Sequence, residues 1–407
     1  MTQGCGFSYS GSVMTRAGVG QSSNPSTADA VREAAIQAMA QASVTRAHAA
    51  MIFFTVDYAS QPRELIDTLC RVTGTSQVVG CSAAGILSSA GEVEGSQGLA
   101  VLVFTSDQIQ SRAFLIHSVR ERDQEVGAEI AQKITPRPGQ ESLLTLFPDT
   151  YHCQPQQLLG TMGEATGFVP VVGAGSSENG TAGATYQLAG ETVASNAVAG
   201  LHLSGSFETS IDITQGCQPI TGPMVITKAE ENLIFEIDHR PAFEVFAQVL
   251  KGPLAEDLRR ALMFVFVGLP ATADRDAVGP DPYLVRNIIG VDPAKGVLGI
   301  GQAVREGQSI IFTLRDGQRA REDLNQMLQR QAQKLGRKRP ALGLYFNCCA
   351  RGRSLYGMAG IDTAYIRQAL GDFPLIGMFG GYELAPLAGT NHLFAYTGAL
   401  ALITDKG

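Results

Sequence analysis

Four times along this chain an apolar run ends on a glycine: Val78-Val79-Gly80, Val171-Val172-Gly173, Val297-Leu298-Gly299 and Leu375-Ile376-Gly377. Each is preceded by a short apolar run, at residues 50–56, 143–147, 262–267 and 342–346, and followed by another, at 99–104, 197–203, 309–314 and 393–402. Runs of this length, bounded by turn residues, read as buried strands. They are continuous instead of alternating, which requires cover on both faces of each sheet. Helical patterns lie between the first strand and the glycine at 62–72, 155–165 and 361–370, stopped by Gly74, Gly167 and Gly371. The third copy departs, its pattern at 281–290 being shorter. Further helices are predicted at 26–41, 124–133, 241–250 and 319–335. The expected fold is α/β or α+β: layered mixed β-sheets flanked by helices, built from duplicated helix-strand-helix-strand-strand units in two halves.

At 407 residues the chain is long enough for more than one core. The stretch from Gln215 to Pro223, rich in Gly and Pro and without period, places the expected boundary between domains 1–220 and 221–407. Formal net charge is −7, and the one dense basic run, Gly336-Arg337-Lys338-Arg339, is too short to track phosphates, so no nucleic-acid partner is expected. No apolar run reaches the ~18 residues of a membrane span. The longest candidates, at 261–269 and 393–403, have strand length. The N-terminus lacks a basic start followed by an apolar stretch, and the seven cysteines form no C-x-x-C pair, so a reducing cytoplasm is expected.

Several separated stretches carry a resemblance. Val78-Val79-Gly80-Cys81-Ser82-Ala83-Ala84-Gly85 with Gly91-Glu92-Val93 is similar to the N-terminal part of the FIST family. Met224 to Ala229, Asn232 to Ile237, Tyr283 to Gly290, Arg315-Asp316, Asn347 to Gly352 and Gly381 to Pro386 resemble its C-terminal part. The resemblance spans roughly Thr15 to Thr404. It implies a sensory, signal-transducing module without catalytic function, binding a small ligand such as an amino acid or related metabolite between its halves. With few residues after Ile403, an attached output domain is not expected, so a separate histidine kinase or other signalling protein would read the signal. Some family members bind haem as nitric-oxide sensors, which offers a second reading.

The residues themselves suggest where a ligand would sit. Gly80, Cys81 and Ser82 end a strand with side chains small enough for backbone N–H groups to approach an anion, or they form a tight turn that needs glycine. Arg286 and Asn287 lie in an apolar context, where an arginine needs a partner: either a ligand carboxylate or an internal acid such as Asp292, Asp316 or Glu383. Asn347, Cys348 and Arg351 follow a buried strand, at the end where α/β proteins present ligand groups. Glu383, beside Gly380-Gly381, suits a ligand ammonium or a pairing with Arg351. The six histidines make no local metal pair, so no metal and no cofactor are expected; haem would need His152 or His202. A hydrolase using Cys81, Ser82 or Cys348 is a third reading, but no nucleophile elbow or His/Asp arrangement accompanies them.

Overall fold

A computed structural model describes residues 15–134, 136–271 and 283–406. Its organising element is a repeated unit of four strands in one sheet. In the first unit Arg16–Ser22 pairs antiparallel with Leu99–Thr105, which pairs antiparallel with Ala49–Thr55, which runs parallel to Val78–Ala83. The second unit repeats this with Ile109–His117, Ala197–Gly205, Glu141–Pro148 and Val171–Ala174. A third does so with Phe207–Gln215, Thr397–Asp405, Leu342–Cys348 and Leu375–Gly380.

Each unit also sends a hairpin onto another unit's sheet. Gly85–Ser88, of the first unit, pairs with Leu375–Gly380 of the third. Gln187–Ala189, of the second, pairs with Val78–Ala83 of the first, and Glu383–Leu387, of the third, pairs with Val171–Ala174 of the second. Three hairpins passed round in one direction close the three sheets into a ring.

The recurrent glycines have a steric cause. A Cβ at Gly80, Gly173 or Gly377 would stand 1.8, 2.0 or 1.7 Å from the carbonyl oxygen of Ile52, Leu146 or Tyr345, the residue opposite in the parallel neighbour. The residue after each carbonyl is a phenylalanine. Phe53, Phe147 and Phe346 meet edge-on or tilted at the centre of the ring, with centroids 5.1, 6.0 and 5.6 Å apart.

Gly299 is not a fourth equivalent. Its strand, Val297–Ile300, pairs antiparallel with Leu233–Ile237, and the nearest atom to an added Cβ is 3.5 Å away, so nothing there requires glycine. The four strand ends expected from sequence are three plus a look-alike. The look-alike lies in a nine-stranded sheet formed by residues 217–315, inserted between the first strand of the third unit and its helix Gly317–Leu335. The expected division at 220/221 falls inside this insert, after Cys217–Pro219.

The helices follow the sequence signals closely. Thr27–Ala42 starts where Ser26 Oγ accepts from Asp29 N, Pro62–Thr73 ends on Gly74 at φ 69°, and Ile361–Leu370 stops at Gly371. Three local expectations fail. The run at 393–402 is broken at residues 395 and 396 into the strands Thr390–Phe394 and Thr397–Asp405. The run at 262–267 is half helix: Leu258–Phe264, capped by Asp257, precedes the strand Val265–Pro270. The pattern at 281–290 is not helical: Tyr283–Arg286 and Ile288–Asp292 are strands held by pairing to neighbours, while residues 281 and 282 lie outside the described residues. Among the described residues no helix is long and apolar enough to cross a membrane.

Candidate functional site

Gly80, Cys81 and Ser82 are committed to closing the ring. Ser82 N donates to Tyr186 O at 2.8 Å, and Ser82 Oγ donates to Ser177 O at 2.9 Å. The Cys81 thiol is fully buried against Met378 Sδ at 3.2 Å, and burial pushes its pKa well up. The ligand cradle suggested by these small residues is therefore filled by neighbouring strands, and Cys81 is no thiolate nucleophile.

Asn347, Cys348, Arg351 and Glu383 do come together, at the end of Leu342–Cys348. Arg351 is fully buried, and its partner is not Glu383 but Asp362, in the first turn of Ile361–Leu370, at 3.4 Å. Asp362 Oδ2 also accepts from Asn347 Nδ2 at 2.7 Å and Tyr345 Oη at 3.0 Å, while Arg351 Nη2 donates to Tyr356 Oη at 2.7 Å. Glu383 Oε2 accepts from Thr397 N at 3.2 Å, and burial, with Cys348 beside it, holds its carboxyl well above the usual range. Among the described residues Asn347 Oδ1, Arg351 Nη1 and Glu383 Oε1 are buried without a hydrogen-bond partner. The hairpin from the first unit locks this loop: Glu92 accepts from Gly360 N and Thr363 N, and Glu94 accepts from Arg353 N.

Arg286 sits elsewhere, on the wall of a cavity of about 870 Å³. Strand alternation explains why Leu284 and Arg286 line it and Asn287 does not; Asn287 lies on the opposite face, beside Tyr396. The other walls come from the second-unit helix Pro155–Thr166 with Phe168, from Gln302, and from the third-unit hairpin at Asn391, His392 and Leu393. Arg286 is 6% exposed, yet no carboxylate pairs with it among the described residues. Its Nε donates to Gln302 Oε1 at 2.6 Å, Nη1 to its own Val285 carbonyl at 2.8 Å and Nη2 to Leu393 O at 3.3 Å.

The internal acids considered for Arg286 are engaged otherwise: Asp292 with Lys295, Asp316 as the cap of Gly317–Leu335, and Glu383 with Thr397. Burial alone pulls the Arg286 pKa down to about 10, so it remains charged at neutral pH. His392 Nε2, buried without a hydrogen-bond partner among the described residues, lines the same cavity, and burial lowers the pKa of that ring. The cavity thus offers one desolvated cation, a neutral imidazole, amides and the half-exposed ring of Phe168.

The two histidines considered for haem lie apart from it. His152 stands between Asp149, 3.2 Å from its Nδ1, and Arg120. His202 Nε2 meets Ser142 Oγ at 2.7 Å, and the cavity beside it is about 150 Å³ and lined by Arg112, Lys133 and Arg137. A porphyrin does not fit a space of that volume.

Residues 48–240 match the FIST N domain and residues 242–386 the FIST C domain. A protein of Mycobacterium tuberculosis strain H37Rv is 28% identical over 390 residues, covering 96% of this chain and 100% of its own length. A Mycobacterium bovis protein is likewise 28% identical, over 96% of this chain and 99% of its own, and one from Methanocaldococcus jannaschii is 23% identical over 46% of this chain and 38% of its own. All three are named only as uncharacterised proteins. The crystal structure of a cyanuric acid hydrolase from A. caulinodans aligns with 48% of this chain and 72% of its own at 9% identity and a TM-score of 0.26, a likeness that carries no inference.

Proposed function

Because the chain belongs to the FIST family of small-ligand sensory domains, we propose that it senses an amino acid or related small carboxylate, bound against Arg286 where the two family domains meet. The family is ligand-binding and not catalytic. The observation that carries the ligand class is the buried, charged Arg286 on a cavity wall with no carboxylate partner among the described residues. A guanidinium out of water is costly unless an anion joins it, and its planar fork suits a carboxylate. Gln302 supplies an amide for a ligand's polar end, and Phe168, Leu284 and Leu393 supply apolar surface.

The cavity walls come from the FIST N domain at 154–168 and the FIST C domain at 284–302, so an occupant touches both. Ligand binding would therefore be felt across the domain junction and read by a separate signalling protein such as a histidine kinase. Six free cysteines among the described residues suit a reducing cytoplasm.

The test is a thermal-shift screen of amino acids, short peptides and dicarboxylates against the wild type and Arg286→Gln. One compound class should raise the wild-type melting temperature and lose at least tenfold in affinity in the variant. A screen with no stabilising carboxylate, or a variant that responds like wild type, overturns the reading.

A further inference from the structure

The second unit carries a cationic cavity that the carboxylate site does not use. In the register of Ile109–His117 against Ala197–Gly205, Arg112 lies opposite His202 and Gln110 opposite Ser204, so the four side chains share one face of the sheet. Lys133, the last residue of Asp123–Lys133, and Arg137 close over that face, leaving a cavity of about 150 Å³ lined by Gln110, Ser111, Arg112, Lys133, Arg137, His202 and Ser204.

Three cations thus converge in a chain of net charge −7, and among the described residues none of them pairs with a carboxylate. Arg112 Nη1 donates to the Lys133 carbonyl at 3.1 Å, which caps the helix end and fixes the guanidinium. That single cap accounts for Arg112; it does not account for Lys133 and Arg137 beside it. His202 is 5% exposed and anchored through Nε2 to Ser142 Oγ at 2.7 Å, so the floor of the cavity is built and not a mobile surface chain.

We infer that this cavity is a second binding site, for a phosphoryl group, held by Arg112, Lys133 and Arg137 with Ser204 as hydroxyl donor. The chemistry follows from the walls: three cations, an amide and a hydroxyl around a volume fit for one tetrahedral anion. Burial and Arg112 lower the pKa of His202, which keeps its ring from adding to the repulsion when the cavity is empty of anion. Free phosphate and the phosphate of a small phosphorylated metabolite share this chemistry.

Titration calorimetry of the full chain with inorganic phosphate and with adenosine monophosphate, against chloride at matched ionic strength, tests the site. Saturable binding of either is expected, weakened at least tenfold in Arg112→Gln/Lys133→Gln. Equal affinity for the two probes identifies the phosphate group alone as the ligand; tighter binding of the nucleotide identifies a phosphorylated metabolite. Arg286→Gln should bind both as wild type does, which separates this site from the carboxylate cavity. Should the double variant misfold, wild-type phosphorus-31 line broadening still decides. The inference is overturned by no saturable binding to wild type, or by a folded double variant that binds unchanged.

Discussion

Arg286 Nη2 donates to the carbonyl of Leu393 at 3.3 Å, tying the inserted nine-stranded sheet to the third-unit hairpin. The same hairpin begins at Glu383, whose register partner across it is Phe394, the neighbour of Leu393. One rigid pair of strands therefore runs from the cavity wall to the buried Glu383 and Arg351 cluster.

Arg286, a buried charge with no carboxylate partner among the described residues, should cost stability in the absence of ligand. Replacing a buried charged group by an apolar one of similar volume is often stabilising. Arg286→Met should raise stability by about 1 kcal/mol in denaturant melts without ligand while abolishing the carboxylate response. A destabilised variant would mean that the three hydrogen bonds of Arg286 outweigh its desolvation.

Arg351 and Asp362 should behave in the opposite way, because each compensates the other at 0% side-chain exposure. Asp362→Ala strands a buried guanidinium and should cost ~3–5 kcal/mol. Arg351→Met/Asp362→Leu should recover part of that loss, giving a clear coupling in a double-mutant cycle. Additive losses would show that the pair is not the anchor of this loop.

The three ring glycines should be distinguishable from the fourth by one methyl group. Gly173→Ala places Cβ 2.0 Å from the Leu146 carbonyl and should cost ~3 kcal/mol or more, as overpacking against backbone does. Gly299→Ala meets nothing closer than 3.5 Å and should shift stability by less than ~1 kcal/mol. Equal effects in chemical denaturation would contradict the assignment of three units and an insert.

Glu94 gives a pH signature. Burial raises its pKa to about 7 from the ordinary carboxylate value of 4.5, so the folded state binds the proton more tightly than the unfolded chain does. Its contribution is then fully present at low pH and is lost as pH rises from about 4.5 through about 7. Glu94→Gln should flatten that part of the stability profile, measured by urea melts across the window. A wild-type profile with the same slope as the variant would remove Glu94 as the source.

Much of this architecture was legible because local chemistry agreed with the final fold. Ser26, Pro62 with Gly74, and Gly371 mark helix ends through caps that act within a few residues. The false fourth repeat arose because a glycine after two apolar residues looks the same whether its neighbour is a parallel strand, as at Gly377, or an antiparallel one, as at Gly299. The insert hides the third unit further, since Phe207–Gln215 is separated from its own helix by residues 217–315.

The site was legible only in part, for the same reason. Arg286 stood out as a cation within an apolar run, and Asn347 and Arg351 as polar residues after a buried strand. Phe168, Gln302 and His392, which complete the cavity, come from three distant segments and carry no local pattern. Asp362 reads in sequence as an ordinary first-turn acid of a helix; only the fold places it against Arg351.

The most direct test of the carboxylate-sensor account is a crystal structure of the chain with the best stabilising compound from the ligand screen. The account predicts a carboxyl group within hydrogen-bond distance of the Arg286 guanidinium, in the cavity between residues 154–168 and 284–302. Density for that compound anywhere else, with only solvent against Arg286, would contradict it.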